Sequence, residues 1–423
     1  MDMYEKIRAG MLEATRLVGK GDLRDATQLI QRALQGRSTP DAAAGTADPT
    51  PVQGENAPIE GTFRVVDDVV EPASNTQHAH KDSAKQPFAN FDWSKAQQWA
   101  EHFKPAPGVF SDPSPTVDVD GNGQFVSASY TNQAGTRAYK LYIPSNYHGQ
   151  KLPLVVMLHG CTQNPDDFAA GTRMNALAEQ EQCFVVYPAQ TNTANKSKCW
   201  NWFEPADQQR DQGEPSIIAG ITREVMSRYS IDPQRVYVAG LSAGGAMATT
   251  MGITYPDLYA ATAVHSGLPY GSAHDLPSAF MAMQGNAAML AGQHGTARSS
   301  EKCQRIVPTI VFHGDRDAKV HPQNGDRVIA QWTEIHGRNG KHFHAKQKPR
   351  VKMQHGQVPN GHAYSRAIFC DMDGQSILEQ WKIHGAGHAW SGGSPAGSHT
   401  DAKGPDATRE MLRFFYEHPH PAT

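Results

Sequence analysis

The chain has 423 residues, 39 basic and 42 acidic side chains, and a formal charge of -3, so it can bury one large core and still carry a small second unit. The near-neutral balance and the lack of long basic runs argue against nucleic acid as a partner, and no apolar run approaches the roughly 20 residues of a membrane span. Five widely spaced cysteines without a CxxC pair exclude a disulfide-dense mini-fold and a zinc ribbon, and leave open one bridge, between Cys161 and Cys199.

In chain order, residues 1–36 read as a helical hairpin. Tyr4, Ile7, Met11 and Val18 recur at helical spacing, and after a break at Gly19–Asp22 so do Leu23, Ala26, Ile30 and Ala33. Charges interrupt the apolar positions, so no secretory signal is legible and a cytoplasmic location is expected. One small hairpin cannot bury two apolar stripes by itself, which suggests docking on a partner surface or self-association through residues 4–36, or packing on the rest of the chain. Residues 37–120 are rich in Pro, Ala, Asp and Asn and read as a largely irregular linker, with a short docking helix at Phe91–Phe103. Every segment with catalytic character lies after Leu158. Deleting the residues before about Pro115 should therefore leave kcat on a small soluble substrate unchanged, while a sedimentation assay reports any loss of anchoring.

Residues 121–418 have a different pattern. "QFVSASY" and "RAYKLYI" alternate like an antiparallel pair. "LPLVVMLHG", "CFVVYP", "RVYVAG", "YAATAVHSG", "VPTIVFHG" and "LEQWKIHG" are apolar runs of the kind that forms buried strands. Helical patterns lie between them, most clearly at Ser216–Tyr229, with Ile217, Ile218, Ile221 and Val225 on one face. Alternating buried strands and helices predict an α/β domain on a mostly parallel sheet. Two longer stretches, Leu268–Gln304 and Gly337–Leu378, read as insertions over or beside a site.

The chemistry is concentrated around "RVYVAGLSAGGAMATT". Ser242 sits between Gly240 and Gly244, after a strand and before a helix, which is the context of a nucleophile elbow. Glycines two before and two after the serine remove the Cβ atoms that would collide across so sharp a turn. A serine hydroxyl needs a base, and the base needs an orienting acid. In the order Ser, acid, His, "VFHGDRDAKVHP" offers Asp317, with Asp315 as the alternative that instead braces its loop. "KIHGAGHAWSGG" offers His388, flanked by small residues, while His384 ends a strand and reads as structural. The glycines between the two histidines disfavour a helical metal pair, and neither metal nor cofactor is expected. Backbone N–H groups of Ala243 and of Cys161, in "LHGCTQN", are the candidate oxyanion donors.

Together "LHGCTQNPDDFAAGTRMNALAE", "CWNWF", "VYVAGLSAGGAMA", "HSGLPYG", "FHGDRD" and "GAGHAWSGG" resemble the poly(3-hydroxybutyrate) depolymerase esterase family over about Ala138–Tyr416. The resemblance implies an α/β-hydrolase fold and hydrolysis of carboxylic esters, with Ser242, Asp317 and His388 at the triad positions. It also makes an extracellular location compatible with the chain, and the substrate an ester that can be polymeric. The family includes enzymes acting on polyhydroxyalkanoates and relatives acting on feruloyl or acetyl esters of polysaccharides. A non-catalytic granule- or polymer-binding protein is the reading from another class, and it would be favoured by a missing triad member. A serine peptidase of related fold would normally bring a propeller, for which the first zone is too short. Trp200, Trp202 and Trp390 flank site-bearing segments and either line an acyl pocket or pack beneath the loops. Phe280, Met281, Met283 and Met289 either form an apolar lid or pack on the body.

Overall fold

The computed structural model describes residues 123–286, 307–338 and 349–421. The hairpin of residues 1–36, the linker, the Phe91–Phe103 helix and Met289 lie outside the described residues.

The centre is a ten-stranded sheet in the order β1-β2-β4-β3-β5-β6-β7-β10-β9-β8. The strands β3 (Leu152–Leu158), β4 (Phe184–Pro188), β5 (Ile231–Leu241), β6 (Ala261–His265), β7 (Thr309–Gly314) and β10 (Ser376–Ile383) run parallel. Their sequences are near-continuous apolar runs because both faces of a parallel sheet are covered by helices. All seven residues of β3 are buried. Full burial of one large aliphatic side chain contributes about 1.5–3 kcal/mol, so this strand alone is a substantial part of the core.

Helices α1 (Pro165–Thr172), α2 (Met174–Glu181), α3 (Gly213–Arg228), α4 (Ala243–Thr254), α5 (Leu276–Met283), α6 (Gln323–Arg338) and α7 (Ala407–Glu417) flank the sheet. Pro165 in the first turn of α1 follows Asn164, whose side chain accepts the Asp167 N–H, so the helix start is set locally. The Ile217, Ile218, Ile221 and Val225 face of α3 is buried as its spacing predicts. On the opposite face of the sheet, Phe415 of α7 stacks on Tyr237 of β5 with ring centroids 4.6 Å apart.

β1 (Gln124–Asn132) and β2 (Gly135–Ile143) form the expected antiparallel pair at one edge. The second long stretch extends the sheet itself. β8 (Arg350–Gln357) and β9 (Ala363–Cys370) add antiparallel strands beyond β10. Their pattern is hard to read because β8 is an edge strand with mostly exposed or half-exposed side chains, so hydrophobic alternation is weak there. Among the described residues no helix is long and apolar enough to cross a membrane.

Candidate active site

Ser242 lies between the end of β5 and the first residue of α4, with φ 58° and ψ -118°. A side-chain-bearing residue at positive φ is strained, and the neighbours hold it there. Its N–H donates to the His265 carbonyl at 2.9 Å, and its own carbonyl accepts the Ala246 N–H at 2.9 Å. The flanking glycines are steric requirements. A Cβ on Gly240 would lie 2.2 Å from the Gly244 carbonyl oxygen, and one on Gly244 would lie 2.1 Å from the Leu158 carbonyl oxygen. The second of these contacts seats the elbow against the end of β3, where the next loop begins.

That loop carries Cys161. A Cβ on Gly160 would lie 3.6 Å from Ser242 Cβ, so the loop runs at van der Waals distance from the serine. His159 fixes its peptide plane. The His159 Nε2 accepts the Gln190 N–H at 3.1 Å, so Nδ1 carries the proton and donates to the Gly160 carbonyl at 2.7 Å. In a trans peptide the next N–H points the opposite way, and among the described residues no acceptor takes the Cys161 N–H. Ala243 is the first residue of α4, so its N–H has no intrahelical acceptor either. The two N–H groups can thus receive developing negative charge.

The Cys161–Cys199 bridge left open by the sequence is formed, closing a separation of 38 residues. It straps the loop after β3 to the segment carrying Trp200 and Trp202. Beneath that segment lies Glu214, 3% exposed, which accepts from Asn201 N–H and Nδ2 and from Gln190 Nε2 and pairs with Arg137. Burial pushes the Glu214 carboxyl up to about 7.

Asp317 and His388, the candidate acid and base, are brought together. His388 Nδ1 donates to Asp317 Oδ2 at 2.7 Å, with the Asp317 side chain fully buried and that of His388 8% exposed. Asp317 Oδ1 accepts the N–H groups of Lys319 and Val320 at 2.9 and 2.8 Å. Burial alone would raise this carboxyl, yet bonds from His313 and His388 hold it far below the usual carboxylate range. An ionised Asp317 keeps the His388 proton on Nδ1 and leaves Nε2 as a base. Among the described residues no hydrogen bond joins Ser242 Oγ to His388, a joint that commonly tightens only with substrate.

The acid and base loops are zipped together. Asp315 N–H donates to the Ile383 carbonyl and Arg316 N–H to the Ala386 carbonyl, each at 3.0 Å. Asp315 itself accepts His384 Nδ1 at 3.0 Å and the Gly385 N–H at 2.7 Å, the bracing role its place beside Gly314 suggests. His384 Nε2 in turn meets Ser365 Oγ at 2.8 Å, so it bridges β9 to the acid loop.

The tryptophans belong to the packing. Trp200 is 0% exposed and lies beside the His159 ring at 5.7 Å, and Trp202 is 6% exposed against Phe203. Trp390, 2% exposed, stacks on His265 and donates from Nε1 to Thr408 Oγ1 at 2.9 Å. These rings offer a ligand almost no surface here because the loops that flank the serine fold over them. Leu276 and Phe280 of α5 are exposed at 54% and 46%, whereas Ala279 and Ala282 face the core. Among the described residues no cluster of three or more His, Cys, Asp or Glu side chains could hold a metal.

Sequence reasoning missed His159, His313 and the Glu214 network. "LHG" and "FHG" place a histidine beside each key loop, but only the fold reveals which carbonyl or carboxylate each ring meets. Two of the buried imidazoles make a measurable prediction. Burial pushes His159 down to about 4 and His265 down to about 3, against 6.5 in the unfolded chain. A depressed histidine leaves stability complete above the unfolded value and removes it as pH falls toward the folded value, because the unfolded chain then binds the extra protons. The melting temperature should therefore fall steadily from about pH 6.5 to pH 4, with up to about 3 kcal/mol lost at each site. His159→Gln should flatten that slope; an unchanged slope would mean that other groups carry it.

Residues 137–352, slightly more than half of the 423-residue chain, match the family described as esterase PHB depolymerase. Poly(3-hydroxyalkanoate) depolymerase C of Paucimonas lemoignei is 36% identical over 266 residues, 62% of this chain and 60% of that enzyme. Feruloyl esterase B of Neurospora crassa is 28% identical over 216 residues, 49% of this chain and 72% of that protein. Among solved structures, acetyl xylan esterase from Aspergillus awamori shares the fold with a TM-score of 0.50 at 20% identity, covering 69% of this chain and 99% of that one. With an elbow serine on an α/β-hydrolase sheet and this span of matching sequence, the chain belongs to the esterase PHB depolymerase family.

Proposed function

We propose that the protein is a serine carboxylic ester hydrolase working through an acyl-enzyme. His388 takes the proton of Ser242 Oγ as the oxygen attacks the ester carbonyl. The resulting oxyanion is received by the N–H groups of Cys161 and Ala243. His388 then gives the proton to the leaving alkoxide, and water repeats the sequence to free the acid. Asp317 orients the imidazole and stabilises its charged form. The observation that carries the reading is the strained elbow serine, with φ 58°, at the same carboxyl end of the parallel strands as a buried Asp317–His388 pair 2.7 Å apart.

The substrate class we propose is a 3-hydroxyalkanoate ester, oligomeric or polymeric, on the strength of the 36% identity to the Paucimonas enzyme. The match covers 60% of that relative's length, so its activity enters here as a proposal for this chain. Feruloyl or acetyl esters of polysaccharides are the second reading, favoured by the 28% identity to feruloyl esterase B. The Cys161–Cys199 bridge also supports an oxidising compartment, in contrast to the cytoplasm suggested by the N-terminal residues. Granule association through residues 4–36 remains a proposal for sedimentation assays.

The test is a panel of p-nitrophenyl esters of increasing chain length, hydroxybutyrate oligomers and methyl ferulate, with a fluorophosphonate label read by mass spectrometry. Turnover of hydroxybutyrate oligomers and labelling of Ser242 alone are expected. Preference for methyl ferulate would move the assignment to the second reading. A folded protein that hydrolyses none of them and takes no label would favour a non-catalytic binding role.

A further inference from the structure

Asp317 meets two imidazoles, and the reaction just described uses one. The other is His313, the penultimate residue of β7, only 2% exposed. Its Nε2 lies 2.9 Å from the Val320 carbonyl oxygen and 3.4 Å from Asp317 Oδ2. Both neighbours can only accept, so Nε2 carries a proton, which bonds the Val320 carbonyl and faces Asp317 Oδ2 at ion-pair distance. The other ring nitrogen, Nδ1, is buried without a hydrogen-bond partner. Gly325 of α6 backs onto it so closely that a Cβ there would lie 3.0 Å away. An apolar ring would fill this space without an unpaired nitrogen, so packing alone does not account for an imidazole. What the imidazole contributes is the Nε2–H.

We propose that His313 is a positioning residue for Asp317, holding the Oδ2 side of the carboxylate and moderating its basicity, so that His388 is a weaker base than Asp317 alone would make it. The proposal rests on the Ser242–His388–Asp317 reading. The division of contacts on the carboxylate supports it. Oδ1 is taken by the Lys319 and Val320 N–H groups, whereas Oδ2 is shared by His388 and His313. The titratable groups around His313 are Asp317 on the following loop, His388 on the base loop and His265 on β6. α6 presents Gly325 to it. Burial keeps His265 neutral, which leaves His388 as the imidazole that responds to the charge density on Asp317.

The sign of the effect follows. Without the His313 donor, Asp317 is a stronger base and stabilises the His388 imidazolium more. The imidazole then protonates at higher pH, and activity is lost earlier on the acidic side.

The experiment is kcat and KM against pH for the wild type and for His313→Phe, His313→Gln and His313→Asn, with a soluble p-nitrophenyl ester that the wild type turns over. His313→Phe should raise the acidic limb of kcat/KM by about half a pH unit or more and lower plateau kcat by about 10-fold, with KM within about 2-fold. Gln places an amide N–H near the position of Nε2 and should restore both; the shorter Asn should restore neither. Should His313→Phe fail to fold, the contrast between Gln and Asn carries the same test. An acidic limb that stays put in every folded variant, or that moves equally in Gln and Phe, would overturn the proposal. Activity surviving in Ser242→Ala would instead remove the triad reading beneath it, so the two failures are distinguishable.

Discussion

Ser242→Ala is expected to lower kcat/KM on any ester the protein cleaves by about 10⁴-fold or more, without changing its melting temperature by more than a few degrees. The size follows from the role. In the proposed mechanism the hydroxyl is the atom that forms the acyl bond, and its loss leaves only the oxyanion donors and substrate binding to act on water. The small change in stability follows from the setting. The backbone of residue 242 is held by its bonds to His265 and Ala246, and Ser242 Oγ makes no hydrogen bond among the described residues. Alanine at φ 58° carries the same Cβ strain as serine, so the elbow should persist. Near wild-type turnover in a folded Ser242→Ala protein would end the esterase assignment.

Asp317→Asn should cost about 10⁴-fold in kcat for a different reason. An amide at this position still accepts the Lys319 and Val320 N–H groups through its oxygen, which directs its NH₂ toward His388. That donor cannot pair with the Nδ1–H, so the imidazole turns to the tautomer whose Nε2 is protonated and unable to act as a base. Asp315→Asn provides the contrast. Its partners, His384 and the Gly385 N–H, lie at the surface with about 40% of the Asp315 side chain exposed, so the change should be felt as a modest loss of stability. Parallel kcat measurements and melts on the two variants decide between them. Reversed phenotypes would transfer the catalytic role to Asp315.

The parts of the fold that depend on local rules were legible in the chain before any tertiary contact was known. Apolar runs of strand length alternating with amphipathic helices specify a parallel α/β sheet. Gly240 and Gly244 around Ser242 specify the elbow, because the turn excludes Cβ atoms at both positions. Chain order placed Asp317 and His388, and the structure joins them across a sequence separation of 71. The remainder was set by contacts between distant segments, which choose among equivalent local readings. The bracing role of Asp315 was suggested by its place beside Gly314, but its partners at residues 383–385 are supplied by the fold. The fold also turned Gly337–Leu378 in part into the outermost strand β8 and its neighbour β9, whose half-exposed residues carry little periodic signal. Trp200 and Trp390 went into the core because the loops that bear them close over the sheet. His159 and His313 meet a carbonyl and a carboxylate beside the site because β3 and β7 end on the same side of a parallel sheet, and strand adjacency is a property of the whole fold.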